Sequence, residues 1–312
     1  MANTLYIKKL TVTFSTYKGP LRVVDNISFN CSRGETISIL GESGCGKSVI
    51  ARAIMRILDS KARIEGQIQL GTLDILKLSE KEMEKLRGNR LSIIVQNPDS
   101  ALNPVLSIEN QLIEVLLLHT RIEKQEAKKQ VILMLDSMGF EESNSLLKMY
   151  PHQLSGGMRQ RLLISATLLT RPEIIIADEP TKGLDRTTRE LIIDEMKRVK
   201  NQYQSGLLLI THDTQVAREM GDWLAVMYAG EIIEISETQR FFREPLHPYS
   251  RALLNSSPER GFQPIPGTSP SLDQLPSGCR FHPRCHYRLK HCASQNPEMK
   301  TMDQEKVKCH LY

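Results

Sequence analysis

The chain lacks any apolar run long enough to cross a membrane. Its longest, residues 223–229, falls far short of the ~20 residues a spanning helix needs. It also lacks a secretory leader: residues 1–10 read as an amphipathic strand with no apolar h-region. The chain is therefore expected in the cytoplasm, and any membrane association has to come through a partner. No basic run with interleaved aromatics is present, and the formal net charge of +5 is mild. Nothing in that balance calls for nucleic acid. No internal repeat is visible, and the cysteines include no C-x2-C pair, which weighs against a compact zinc knuckle.

What is present is an ordinary globular composition, 40% hydrophobic over 312 residues. That is enough for one large core, or one core plus a small appendage. The first segment is strand-rich. Leu5, Ile7, Leu10, Val12 and Phe14 carry an imperfect alternation, and residues 22–29, 35–40 and 66–70 read as further strands. Ser79-Glu80-Lys81-Glu82 matches a capping box and opens a short polar helix to Arg87, before an apolar strand at 91–95. From Ser107 to about Leu169 the texture is helical, with Ile108, Leu112, Val115 and Leu116 at helical spacing, as are Val131, Met134, Leu135 and Met138. Strands return at 174–177, 207–210 and 224–228, with helix-like runs between them. The fold class expected is α/β with a helical insertion. After about Ser256 the chain turns rich in proline and glycine, from Pro258 to Gly278. That reads as a linker or an irregular lobe.

Chemistry concentrates first at Gly41-Glu42-Ser43-Gly44-Cys45-Gly46-Lys47-Ser48. The pattern G-x-x-x-x-G-K-S/T lets successive backbone N–H groups wrap nucleotide phosphates. Its lysine reaches the β- and γ-phosphates, and its hydroxyl ligates Mg²⁺. Ile37, Ile39 and Leu40 precede it and a helix-like run at 49–58 follows, which is the strand–loop–helix context the motif requires. Downstream, Leu154-Ser155-Gly156-Gly157-Met158-Arg159-Gln160-Arg161 places a serine and two glycines at a helix start, a second anion site. Then Ile174-Ile175-Ile176-Ala177 runs as a buried strand into Asp178-Glu179-Pro180. Two adjacent acids at a strand end can divide the work of phosphoryl transfer, one facing the metal and one orienting water.

A phosphate loop, an LSGG signature and an acidic strand end in this order resemble the ATP-binding cassette (ABC) ATPases, over nearly the whole chain. The resemblance implies an ABC ATPase core: a mixed sheet carrying the phosphate loop, an N-terminal antiparallel subdomain and a helical insertion. Residues 1–255 would form the nucleotide-binding domain, with a helical subdomain about 97–169. Residues 256–312 would form a small irregular cysteine-rich lobe. ATP would lie against Gly41, Ser43, Gly44, Cys45, Gly46, Lys47 and Ser48. Ser48, Gln96 and Asp178 would serve Mg²⁺, and Glu179 would polarise the attacking water. Gln96 stands as the Q-loop glutamine, and His212, after the strand 207–211, as the switch histidine that contacts the γ-phosphate. Tyr17 is the candidate for the aromatic that stacks on adenine, with Phe14 close by. Thr181-Lys182-Gly183-Leu184-Asp185 matches the D-loop, retaining Asp185 but departing from the usual pattern at Lys182-Gly183. Since Ser155, Gly156 and Gly157 would cap the γ-phosphate held by another subunit, a dimer is implied. The partner ATPase expected is a paralogue.

The last four cysteines, Cys279, Cys285, Cys292 and Cys309, are spaced C-x5-C-x6-C-x16-C. In a reducing compartment such a cluster argues for metal over disulfides. Four thiolates suit Zn²⁺ or an iron–sulfur cluster, and His282, His286, His291 and His310 are alternative ligands. With Leu246-His247-Pro248-Tyr249-Ser250 and Ile265-Pro266-Gly267, these residues resemble the C-terminus of the oligopeptide/dipeptide permease ATPase subunits, a group that also serves nickel and other small solutes. The resemblance implies a 4Fe–4S cluster on those cysteines, with zinc as the alternative. It further implies two transmembrane permease subunits, an extracytoplasmic solute-binding protein, and a place on the cytoplasmic face of the membrane. The tail, short of apolar residues, is expected to fold around its metal and to stand apart from the core that binds ATP.

Overall fold

The computed structural model describes residues 5–257 and 260–312. Residues 1–4 of the expected opening strand, and Pro258 of the proline-rich tail, lie outside the described residues. The chain divides into two compact units: residues up to Leu76 together with Leu209–Tyr312, and Lys77–Leu208.

The first unit contains two sheets. One is antiparallel, with strands in the order Gly19–Cys31, Leu5–Thr16, Ala62–Leu70, Leu73–Asp74. The imperfect alternation of the opening strand has a concrete cause. Buried positions run Leu5 and Ile7, then switch to Leu10 and Val12, and the register with the second strand shifts between Ile7 and Leu10. Lys9 sits there at φ 50, the extra residue of a β-bulge. Opposite it, a Cβ on Gly66 would lie 2.4 Å from the Lys9 carbonyl oxygen, so only glycine fits.

The other sheet of this unit is mixed. Thr36–Leu40 runs parallel to Trp223–Tyr228, which pairs antiparallel with Glu231–Glu237. All five residues of Thr36–Leu40 are buried, as expected of a strand covered on both faces. The tail then departs from the irregular lobe expected of it. Much of it is coil and short 3₁₀ turns, at His282–Arg284 and Lys290–Ala293. Yet Glu305–Val307 pairs with Glu231–Glu237, and Lys300–Met302 pairs with Glu305–Val307, extending the sheet. Phe281 joins the buried cluster of Leu40, Val226, Tyr228, Phe241 and Tyr249, with Ile265, Leu272 and Leu275 packed against it. A segment with too few apolar residues for its own core borrows that of the unit it belongs to.

The second unit is mainly helical. Its strands Leu91–Ile94 and Ile174–Asp178 pair in parallel, Leu91 opposite Ile174. Helices Ile108–His119 and Lys124–Ser137 are in contact, and each buries its spaced apolar positions, Ile108, Leu112 and Leu116 on the first, Val131 and Leu135 on the second. The capping box forms as read: Ser79 Oγ accepts from Glu82 N, and Glu82 reaches back to Ser79 N at 2.7 Å, opening the helix Glu80–Leu86. Strand Gly206–Thr211, buried throughout, spans the boundary between the two units. Among the described residues no helix is long and apolar enough to cross a membrane.

Candidate nucleotide site

In the first unit the buried strand Thr36–Leu40 delivers the chain into the glycine-rich loop, and helix Lys47–Met55 leaves it. Two glycines are forced by what they touch. A Cβ on Gly41 would sit 2.3 Å from the Met227 carbonyl oxygen. At Gly46 it would sit 2.7 Å from the Val23 carbonyl oxygen, at a φ of +108. The backbone of the loop is thus pressed against the mixed sheet at one end and the antiparallel sheet at the other, and its N–H groups turn around a helix start. Lys47 is buried, and its Nζ donates to the carbonyls of Gly41 (2.7 Å) and Glu42 (3.0 Å). Ser48 is half-buried in the first turn of the helix. Cys45 is buried, and burial pushes its thiol above the usual range. It is therefore an inert thiol and not a reactive thiolate.

A cavity of about 820 Å³ opens beside the loop. Ser43, Gly44 and Cys45 form one side, Tyr17 and its hairpin another, and residues 269–274 of the tail a third. Tyr17 stands at 94% exposure on the hairpin tip. Phe14 is half-buried within its strand, paired to Leu21. Of the two rings, Tyr17 lines this cavity and Phe14 does not. His212, exposed, follows the buried strand that ends at Thr211. The next residue, Asp213, caps the helix Thr214–Met220 by accepting from Gln215 N at 2.8 Å.

In the second unit Asp178 ends a fully buried strand and is itself buried. Glu179 follows at φ 52, a left-handed conformation that a non-glycine residue adopts at a cost. Gln160 Nε2 donates to the Pro180 carbonyl at 3.0 Å, tying the signature helix to the turn after the acids. Gln96 is exposed just beyond the strand Leu91–Ile94. Ser155 caps the helix Gly156–Leu168, accepting from Met158 N at 3.3 Å. A Cβ on Gly156 would meet nothing within 4 Å, and on Gly157 nothing nearer than 3.8 Å. Neither glycine is required by packing. Asp185 caps the helix Arg186–Tyr203. Hydrogen bonds from Thr188 N (3.0 Å) and Thr188 Oγ1 (2.7 Å) hold its carboxyl below the usual range.

This set of loops matches a known family. The model of the "ABC transporter" family covers residues 24–182. The oligopeptide transport ATP-binding protein OppD of Escherichia coli (strain K12) is 42% identical over 94% of this chain and 88% of its own. The chain belongs to the ABC transporter family. Its dipeptide transport relative DppD of Bacillus subtilis (strain 168) is 41% identical over 100% of this chain and 95% of its own. Among solved structures, a dimeric ATP-binding cassette in a post-hydrolysis state, bound to ADP and Pi, has a TM-score of 0.68 at 28% identity. It covers 75% of this chain and 98% of that one. The chain is thus an ABC ATPase, and ATP with Mg²⁺ is the nucleotide such a cassette takes.

A second family model, "Oligopeptide/dipeptide transporter, C-terminal region", covers residues 233–292 of this ABC ATPase. That span contains Cys279, Cys285 and Cys292 but stops short of Cys309. All four cysteines are free thiols, and all four line one small enclosed cavity with His247, Phe281 and Tyr287. Burial pushes Cys279 up to about 11 and raises Cys285 and Cys309 as well, each further raised by the neighbouring sulfurs. As the side chains stand, no group of three or more His, Cys, Asp or Glu among the described residues is disposed to hold a metal ion. Of the histidines offered as alternative ligands, His282 and His310 line the same cavity as the cysteines. His282 Nδ1 lies 2.9 Å from the Cys279 carbonyl, His310 Nε2 lies 2.9 Å from the Gln295 carbonyl, and the His291 ring packs edge-on against His310. His286 lines other cavities.

The sequence reading missed the groups that join the tail to the phosphate loop. Arg284, in the turn before Cys285, donates to both carboxylate oxygens of Glu42 at 2.9 and 3.1 Å. It also donates to the Pro266 carbonyl at 2.7 Å and the Tyr228 hydroxyl at 3.3 Å. Burial works against the charge of Arg284, and the bonds to Glu42 and Tyr228 more than offset it, holding the guanidinium above its usual range. The Glu42 N–H donates to the Tyr249 hydroxyl at 3.1 Å. Arg280 adds contacts to Asp25, Glu231 and the Ala229 carbonyl. The only signal in the sequence was three arginines set among the cysteines, Arg280, Arg284 and Arg288.

Proposed function

We propose that this ABC ATPase is the ATP-hydrolysing subunit of an importer of di- or oligopeptides. One observation carries the reading: the chain matches oligopeptide and dipeptide transport ATP-binding proteins from end to end, including the C-terminal region that bears their name. Nickel, metal chelates or another small solute are the alternative cargo for the same motor. Two transmembrane permease subunits, an extracytoplasmic solute-binding protein and a paralogous ATPase complete the assembly, which holds this chain peripherally on the cytoplasmic face. Residues 1–255 form the nucleotide-binding domain, with residues 97–169 as its helical subdomain, and 256–312 the cysteine-rich segment.

In the proposed reaction the loop residues Gly41, Ser43, Gly44, Cys45 and Gly46 bind the phosphates through backbone N–H groups, and Lys47 neutralises them. Tyr17 stacks on adenine. Ser48, Gln96 and Asp178 serve Mg²⁺. Glu179 orients the attacking water and His212 contacts the γ-phosphate, since phosphoryl transfer is mostly positioning and charge neutralisation. Ser155, Gly156 and Gly157 meet the nucleotide held by the paralogue, with Asp185 beside that contact. The open space around Gly156 and Gly157 supports this reading.

Cys279, Cys285, Cys292 and Cys309 hold an iron–sulfur cluster, zinc being the alternative. The fit rests on four free thiols lining one enclosed cavity, because iron–sulfur clusters take four thiolates in a sheltered site. When bound, the group would cross-link the tail. Protein purified without oxygen should carry iron and sulfide and absorb broadly in the visible. Stoichiometric zinc without iron would overturn the cluster while leaving the motor intact.

The catalytic assignment is tested by Glu179→Gln in the assembled transporter. ATP binding should persist while steady-state hydrolysis and peptide uptake fall at least a hundredfold, the usual worth of a catalytic acid–base group. Hydrolysis near wild type would remove Glu179 from its role. Uptake of nickel but not of peptides, by the wild-type assembly, would exchange the cargo.

A further inference from the structure

A carboxylate at the second position of a phosphate loop is electrostatically misplaced. Glu42 lies between Gly41 and Ser43, in a loop whose task is to gather a polyanion. Its own carbonyl and that of Gly41 hold Lys47 Nζ, so the glutamate shares its residue with the lysine's anchor. Left bare, its charge would oppose the triphosphate through a partly dehydrated loop, where like charges interact far more strongly than in water.

The tail answers that charge. Arg284 meets Glu42 with both arms of its guanidinium, the fork geometry that matches a carboxylate. The arginine side chain is only 6% exposed, against 26% for the glutamate. It is fixed from behind by the Pro266 carbonyl and the Tyr228 hydroxyl. Tyr228 and Tyr249 pack against each other at a ring separation of 4.6 Å and against Phe281 at 5.3 and 5.4 Å, and Tyr249 also receives the Glu42 N–H. Both the charge and the backbone of Glu42 are therefore held by one rigid cluster.

We propose that Arg284 is a positioning and charge-compensating residue of the nucleotide site: it neutralises Glu42 and draws it away from the phosphates, so that ATP binding depends on the seated C-terminal tail. The proposal rests on the loop being the nucleotide site. It revises the expectation that the tail stands apart from the core that binds ATP. Arg284 touches no nucleotide in this role; it acts through Glu42.

The test is equilibrium binding of a labelled ATP analogue with Mg²⁺ to the full chain. Arg284→Ala should weaken binding about tenfold, roughly the effect of one uncompensated charge near the phosphates. Adding Glu42→Gln to that variant should restore affinity to within about threefold of wild type, because the charge that needed an answer is gone. Glu42→Gln alone should lower the melting temperature, by stranding a buried guanidinium. A folded Arg284→Ala chain with wild-type affinity overturns the proposal. So does a double variant as weak as the single one, which would make Arg284 a packing residue only. Should Arg284→Ala fail to fold, Arg284→Gln, which keeps donors but not charge, carries the same comparison with and without Glu42→Gln. A wild-type chain that binds no nucleotide, or a Lys47→Ala chain that binds it unchanged, overturns the nucleotide reading of the loop itself and is thereby distinguished.

Discussion

Gly46 is asked for two things that no other residue supplies. Its φ of +108 is closed to side chains, and its neighbour on that side is a carbonyl oxygen. Gly46→Ala should therefore both strain the backbone, by about 1–3 kcal/mol, and push the loop off the strand that bears Val23. Nucleotide binding should fall more than tenfold, measured by titration with labelled ATP, beside a lowered melting temperature. Wild-type affinity in a folded variant would mean the loop geometry is not what gathers the phosphates. Asp185 makes a prediction in pH. Its carboxyl is held below the unfolded value, so its contribution to the helix cap is complete above the usual aspartate range. That contribution is lost as pH falls through the lower, folded value. Asp185→Asn, which can still cap, should flatten that part of the acid melting curve, followed by circular dichroism between about pH 5 and pH 2. Residues of this kind were legible in the sequence because their partners are close along the chain: a loop of eight residues, an acid pair, a capping serine. Arg284 and Glu42 were not, being 242 positions apart. Nothing local distinguishes a glutamate with a distant partner from one that faces water.

At the scale of elements, the bulge in the opening strand shows how much a pattern holds when read closely. The switch from odd to even apolar positions between Ile7 and Leu10 already contained the extra residue; what it could not contain was the partner, Gly66. Gly66→Ala should cost on the order of 2–3 kcal/mol, since the added methyl meets backbone on the facing strand and the φ is +104. Urea unfolding measures it, and a variant as stable as wild type would show that the bulge can relax. Strand Glu231–Glu237 was not read at all. Two of its three acids, Glu231 and Glu234, sit inside a buried run, where alternation predicts nothing charged. Glu234 is fully buried because it accepts from the N–H groups of Leu246 (2.9 Å) and His247 (2.7 Å) and from Ser236 Oγ (3.0 Å). Burial raises its pKa all the same. A carboxylate that ends its hydrogen-bond search on backbone donors is invisible until the backbone has folded.

At the scale of the molecule, the α/β class, the antiparallel strands at the start and the helical middle were all legible, because each is written in short-range periodicity. How the tail packs was not legible, because prolines and glycines say only what a segment cannot be. Its few apolar residues are aimed at a core assembled elsewhere. A chain ended at residue 255 would lose Phe281, the strands Lys300–Met302 and Glu305–Val307, and every contact of Arg280 and Arg284. Tyr228, Tyr249 and the edge of Glu231–Glu237 would be laid bare, and an uncovered sheet edge invites aggregation. Such a truncation should be largely insoluble, or melt far below the full chain, by light scattering and calorimetry. A soluble, monomeric truncation that melts like the full chain would show that the tail contributes no stability to the unit it joins.

The division of the chain into a continuous middle unit and a first unit assembled from both flanks also has a meaning in time. Residues 77–208 leave the ribosome together and can fold at once. The phosphate loop leaves before them, yet the arginine that answers its glutamate follows 242 residues later. At 5–20 residues per second that is a delay of roughly 10–50 s. Throughout that interval the loop exists without its counter-charge. A nascent chain therefore gains its full hold on nucleotide among the last things it does, after the rest of the ATPase has taken shape.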